Sequence, residues 1–406
     1  MQNRNEGITL IALIITIIIL LILVGVSINL AIKGDLFGSA EKAVSGTNDK
    51  TAQEQTRVDE LMGELDKVEE QQRQQEEIEK SNNLPGTRVT ENTKYVSGGK
   101  TAWIPKGFTI SGISSEQSIN NGLVIYDIPE GTTPDWSNPD SVKTKYNQFV
   151  WIPVEVKSTD TENSIANFYR SAWAENTATG GERTELSTLF TEPYSYDTTN
   201  NYDQTNGIAD QITELTKSIY KYGGFYIGRY EAGSETERNS NSSQTAEFVV
   251  QQDKYPYIYI TWGKSMSDVS EGAVYLCNNL YSSTNTNYGA TSMLCSGVSW
   301  DSMLDFVKDS SHSVTDSATW GNYYNSETYK VYRGSLYSNS GWSTANTTTG
   351  TEVTKNSSVL LTTGATERNS SKNIYDVAGN CWERTTESDS SSYRVDRGRQ
   401  LQPRWF

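Results

Sequence analysis

Histidine is nearly absent from this chain of 406 residues, and cysteine and basic residues are scarce. The only histidine is His312, so a zinc site with two or three imidazoles is excluded. A Ser-His-Asp triad would have to use that one residue, which sits in Asp309-Ser310-Ser311-His312-Ser313, a composition typical of an exposed loop. The three cysteines, Cys277, Cys295 and Cys381, are too far apart for a zinc ribbon built from C-x-x-C pairs. An odd number cannot all pair within one chain, so one disulfide or three buried thiols are the two readings. Lysine and arginine total 34 against 50 acidic residues, a net charge of −16. Nucleic acid is excluded as a partner, because phosphate contacts need a basic surface. Anionic lipid headgroups are disfavoured for the same reason.

One long uncharged run breaks this polar character. Ile8 to Ile32 contains no charged residue, and as a helix it would measure roughly 37 Å at 1.5 Å per residue. A hydrocarbon core of about 30 Å predicts a membrane span from it. The run is too long for a secretory signal, and Val24-Gly25-Val26-Ser27 lies inside it. Glu6-Gly7 before Ile8-Thr9-Leu10-Ile11-Ala12-Leu13 resembles a type IV prepilin junction. That resemblance implies a leader over 1–7, a prepilin-type peptidase as partner, cleavage after Gly7, and Ile8 as the mature N-terminus. The family's glutamate at the fifth mature position is replaced by Ala12, which weighs against fibre assembly. A plain single-span anchor is the other reading. Both put the C-terminal bulk outside the cytoplasmic membrane.

Residues 36–80 are rich in Glu, Gln and Lys and lack proline, so they predict a helical stalk. Val58, Leu61, Leu65 and Val68 make a two-heptad seam that Gln72 and Gln75 interrupt, too short for a coiled coil. Leu84-Pro85-Gly86 ends the helix. From about residue 88 the pattern changes to short apolar runs: Ala102-Trp103-Ile104-Pro105, Gly122 to Tyr126 and Phe149 to Val154 read as strands. Residues 155–207 read as a polar surface insertion without calcium-loop spacing at Asp197-Thr198-Thr199-Asn200-Asn201. Three amphipathic helices follow: Ile208 to Ile219, stopped by Gly223-Gly224; Val269 to Leu280, with Asp268 as cap; and Trp300 to Val307, capped by Ser299. The predicted architecture is α+β: a transmembrane helix over 8–34, a helical stalk and linker over 35–87, and a loop-rich head over 88–406.

Five segments of the head, in order, are similar to the formylglycine-generating-enzyme (sulfatase-modifying factor) family. They are Gly224-Phe225-Tyr226-Ile227-Gly228-Arg229-Tyr230-Glu231, Ile260-Thr261-Trp262, Gly297-Val298-Ser299-Trp300-Asp301, Asn373-Ile374-Tyr375-Asp376-Val377-Ala378-Gly379-Asn380-Cys381-Trp382-Glu383, and Tyr393-Arg394-Val395-Asp396-Arg397-Gly398. The resemblance implies a C-type-lectin-like fold and a calcium at the Asn380–Glu383 turn, with Trp382 as a core anchor. Otherwise Glu383 caps turn amides or pairs with an arginine such as Arg397. Catalytic members use two nearby cysteines close to the C-terminal end to bind copper. This chain has no cysteine after Cys381, so the resemblance implies a head without oxidase chemistry. Arg399 to Phe406 departs from the family, and a one-base shift in suitable codons restores Gly-Ser-Tyr after Gly398. A frameshifted, truncated end is therefore expected.

These readings converge on a membrane-anchored, surface-displayed binding or adhesion protein with a glycan, peptide or protein ligand. The alternatives are a minor pilin or pseudopilin, or a sulfatase-modifying-type enzyme.

Overall fold

The computed structural model describes residues 40–186, 207–265, 268–338, 341–357, 359–388 and 394–398. The chain divides into two compact units, Met1–Gln74 and Gln75–Phe406. Among the described residues the first unit is helix alone, most of α1 (Ala40–Asn82). Glu, Gln, Lys and Arg are good helix formers, and local pairs such as Arg73 with Glu70 at 2.5 Å support it. The seam of Val58, Leu61, Leu65 and Val68 is exposed. From Gln75 the helix belongs to the second unit, where Ser81 Oγ accepts the Val96 N–H at 2.9 Å.

The predicted architecture needs a correction. Among the described residues no helix is long and apolar enough to cross a membrane. The one long helix, α1, is charged and polar along its length, so it cannot replace the expected span. The uncharged run from residue 8 to 32, with Gly7 and Ile8, lies outside the described residues. The transmembrane helix, membrane partner and single-span extracellular placement are accordingly withdrawn. The structure is a mixed α/β arrangement with few helices and many short antiparallel strands.

The second unit opens with a hairpin of β1 (Thr93–Ser97) and β2 (Lys100–Ile104). β3 (Thr109–Ile110), β4 (Val124–Tyr126), the short α2 (Pro139–Lys143) and β5 (Gln148–Pro153) follow. A second hairpin, β6 (Ser171–Ala174) with β7 (Glu182–Glu185), interrupts the stretch expected to be surface insertion. Then come α3 (Ile208–Tyr222) and β8 (Gly224–Gly228), which completes an antiparallel sheet in the order β3-β4-β5-β8. Beyond it lie β9 (Gly233–Ser234), β10 (Tyr255–Pro256), α4 (Gly272–Leu280) and α5 (Gly297–Val307). The remainder is strand pairs: β11 (Tyr329–Val331), β12 (Ser335–Ser338), β13 (Gly341–Thr344), β14 (Thr351–Val353), β15 (Leu360–Leu361), β16 (Ser370–Ser371), β17 (Ile374–Tyr375), β18 (Glu383–Ser388) and β19 (Arg394–Arg397).

The central sheet is buried on both faces, which explains the unbroken apolar runs of β4 and β5. Successive side chains point to opposite faces. Val124, Tyr126, Val150 and Ile152 pack with Trp300, Met303 and Val307 of α5. Ile125 and Trp151, one residue out of step, pack with Ile104, Ile110, Leu123 and Tyr281. Helix starts differ from expectation by a few residues. Ser296, not Ser299, caps α5, accepting the Ser299 N–H at 3.1 Å. Asp268 forms its own turn with the Ser270 N–H at 2.9 Å, and α4 begins later, at Gly272.

The hairpin β6–β7 is held by charge. Arg170, 6% exposed, spans Asp301 of α5 at 2.9 Å and Glu387 of β18 at 2.6 Å. Arg397 of β19 reaches Glu387 from the other side at 2.5 Å. A buried pair of this kind locks the elements in register, since breaking it strands an uncompensated charge.

Candidate functional site

Two buried polar networks hold the second unit together, one around Arg229 and one around Asn380. Arg229 is 1% exposed. It donates to Glu116 at 2.8 Å, and to the Tyr126 hydroxyl and Gln148 Oε1 at 3.2 Å each. Glu116 also accepts from Ser111 Oγ at 2.7 Å and Lys143 Nζ at 3.1 Å. Burial opposes ionisation of Glu116, but Arg229 outweighs it, with Lys143 and Ser111 adding to it, and the carboxyl is held at about 2.

Asn380 has a left-handed backbone, φ +66°, and is fully buried. Its Oδ1 accepts from the Leu361 N–H at 2.9 Å and from Asn322 Nδ2 at 3.0 Å. Its Nδ2 donates to Glu231 at 2.8 Å and Leu361 O at 3.1 Å. The preceding Gly379 has φ +102°, and a Cβ there would lie 2.2 Å from Asn322 O, so only glycine fits. All of the Asn380 amide is thus spent on joining β15, Asn322 and Glu231. Its oxygen has no lone pair left over for a calcium ion, which takes six to eight oxygens.

Glu383 behaves differently. Its Oε2 is buried without a hydrogen-bond partner, and it does not pair with Arg397, which goes to Glu387. Burial, then repulsion from Asp376, pushes the Glu383 carboxyl well up. Asp376 is raised by burial to about 7, and Glu231 is raised by burial together with Asp376 and Glu383. Among the described residues no three His, Cys, Asp or Glu side chains are gathered so as to hold a metal. Asn380 thus spends its side chain within the fold, while Glu383 keeps one buried oxygen without a partner.

Trp382 is not a core anchor. It is 50% exposed, while its neighbour Cys381 is buried. Trp382 and Glu383 instead line a cleft of about 1310 Å³. Its walls come from all five residues of β8, from α3 (Gln211, Leu215, Tyr222), from α4 (Ala273, Leu276, Cys277) and from the 288–296 loop. Aromatic rings in edge contact form one side: Trp151 with Tyr226 at 5.1 Å, Trp103 with Tyr222 at 5.5 Å, and Phe108 with Tyr281 at 5.2 Å. Trp151 Nε1 and the Tyr230 hydroxyl, on lining residues, are buried without partners. Apolar walls with a few unmatched polar atoms are the usual make-up of a ligand pocket.

All three cysteines are free and line the cleft. Burial pushes the Cys277 thiol up to about 12 and the Cys381 thiol well above its ordinary value, so both are protonated and weakly nucleophilic. His312 lies apart, its Nδ1 2.9 Å from Asp309 Oδ1 in its own loop. No family model, curated protein or solved structure matches the chain.

The sequence pointed to Asn380 and Glu383 and missed the cleft. The cleft is assembled from segments between residues 92 and 396, and no local pattern marks such an assembly.

Proposed function

We propose that this chain is a ligand-binding protein whose head, similar to the formylglycine-generating-enzyme family, has lost oxidase chemistry and uses the aromatic cleft for recognition. The cleft carries this reading: its volume exceeds that of most small-molecule pockets, about 300–1000 Å³, and aromatic residues dominate one wall. The buried, protonated thiols of Cys277 and Cys381 on the cleft wall are in keeping with recognition by shape and apolar contact.

Ser218 is an exposed α3 residue on the cleft wall, so Ser218→Trp should obstruct the cleft without disturbing the core. The full chain is screened on a glycan array and on immobilised decapeptides. At least one class should bind, and Ser218→Trp should weaken it tenfold or more with an unchanged melting temperature. No binding on either array, or binding indifferent to Ser218→Trp, would remove the cleft as the site. Oxygen consumption by the copper-treated chain with a cysteine peptide would show that the head is an enzyme.

A further inference from the structure

β8 is an edge strand with one side open. In the order β3-β4-β5-β8 it has a single neighbour. The Trp151 N–H donates to Leu123 O at 3.0 Å, away from β8. Its antiparallel partner is Tyr226, so the pairing is of the non-hydrogen-bonded kind and Tyr226 turns its N–H and C=O away from β5. The same parity applies to Gly224 and Gly228, partners of Pro153 and Phe149. The Arg229 N–H to Gln148 O, 3.0 Å, and the Val154 N–H to Gly223 O, 2.9 Å, mark the alternating positions that do face β5. Among the described residues, the outward N–H and C=O groups of Tyr226 and Gly228 meet no backbone or side-chain partner.

Every residue of this edge lines the cleft. An open strand edge is ordinarily guarded by lysine, proline, a bulge or a covering element. The stretch Gly224-Phe225-Tyr226-Ile227-Gly228 contains neither lysine nor proline, and among the described residues no second strand pairs with it.

We propose that the cleft admits an extended peptide segment, which adds as a fifth strand to the open edge of β8. This rests on the cleft being the recognition site. Five residues span about 16 Å at about 3.3 Å each, enough to register a partner of four or five residues about 4.8 Å away. The row of alternating donors and acceptors on Gly224, Tyr226 and Gly228 matches a peptide backbone. Neither a small apolar molecule nor a helix, whose backbone groups are already paired, can satisfy it. Alternate peptide side chains would then meet the aromatic wall of Trp151, Tyr226 and Tyr222 on one side and Leu276 and Met293 on the other. Main-chain bonds would supply affinity and the pockets selectivity, as in other strand-addition complexes.

The test uses the full chain and a displayed library of random decapeptides. Peptides that bind are resynthesised with single N-methyl groups at each position in turn. Strand addition predicts a period of two: methylation at positions facing β8 weakens binding at least tenfold, and at intervening positions changes it less than threefold. On the protein side, Tyr226→Pro removes the outward N–H and should bind at least tenfold more weakly than Tyr226→Ala, which keeps it. Melting temperatures of both variants show that the sheet is intact. If Tyr226→Pro unfolds, the N-methyl scan alone decides.

Failure to select any peptide, a scan without a period of two, or equal binding by two folded Tyr226 variants overturns strand addition. The cleft reading survives those outcomes if a glycan or another ligand remains sensitive to Ser218→Trp. It falls only if no ligand is.

Discussion

Replacing Arg229 by methionine should destabilise the head by about 3–5 kcal/mol, the range for breaking a buried ion pair from one side. The guanidinium is 1% exposed and sits 2.8 Å from Glu116. Without it, Glu116 keeps Lys143 Nζ at 3.1 Å and hydrogen bonds from Ser111 and Tyr126, but loses the cation that chiefly offsets its burial. Glu116 would then be neutral over a wider pH range, so the loss should shrink as pH falls. Pairing Arg229→Met with Glu116→Leu removes both charges and should recover a large part of the deficit, as apolar replacement of a whole buried pair often does. Urea unfolding of the two variants and the parent measures this. A loss below about 1 kcal/mol for the single variant would mean that the pair behaves as a surface bridge.

A second large effect concerns pH. Most native proteins are most stable between about pH 5 and 8; this head should lose stability as pH rises from 5 to 8. Burial raises six carboxyls above their usual range: Asp127, Glu231, Asp301, Asp376, Glu383 and Asp396. A group with a raised folded value binds more protons folded than unfolded, so its stability is full below the unfolded value and is lost as pH rises through the folded one. For Asp376 that window runs from its ordinary 3.8 to about 7. Glu116 works in the opposite sense. Held at about 2 against an ordinary 4.5, it contributes above 4.5 and its contribution is lost as pH falls toward 2. Asp268, lowered by its hydrogen bonds to Ser270, and Asp309, lowered against its burial by His312 and Ser311, act in the same sense as Glu116. The urea midpoint should therefore fall by about 1 M between pH 5 and pH 8, and Asp376→Asn should flatten the fall. A midpoint rising toward pH 8 would contradict the burial of these carboxyls.

Parts of this structure were readable in the chain, and the reasons differ element by element. α3 appears where Ile208, Ile212, Leu215 and Ile219 repeat at helical spacing, and it ends on left-handed Gly223. β4 and β5 appear where the apolar runs are, because both faces of their sheet are buried. The β6–β7 hairpin was hidden because polar residues hold it: Arg170 and Arg183 tie it to Asp301, Glu387 and Asp305. Composition reads such a segment as loop. Trp382 was misassigned because a large aromatic defaults to the core, whereas the left-handed turn at Asn380 sends Cys381 inward and leaves Trp382 half-exposed. Glu116 gave no signal at all, since its partners lie 27 and 113 residues away in Lys143 and Arg229. The open edge of β8 depends on strand order, which no run of residues states.

The most direct measurement is hydrogen exchange at single amides of β8 in the full chain. An open edge along the cleft predicts alternation: the Phe225 and Ile227 amides, which face β5, exchange slowly, while those of Tyr226 and Gly228 exchange at least a hundredfold faster. Addition of a selected decapeptide should slow Tyr226 and Gly228 and leave Phe225 and Ile227 unchanged. Slow exchange at all four positions in the free chain would mean that the edge is already covered, and the cleft could not then receive a strand.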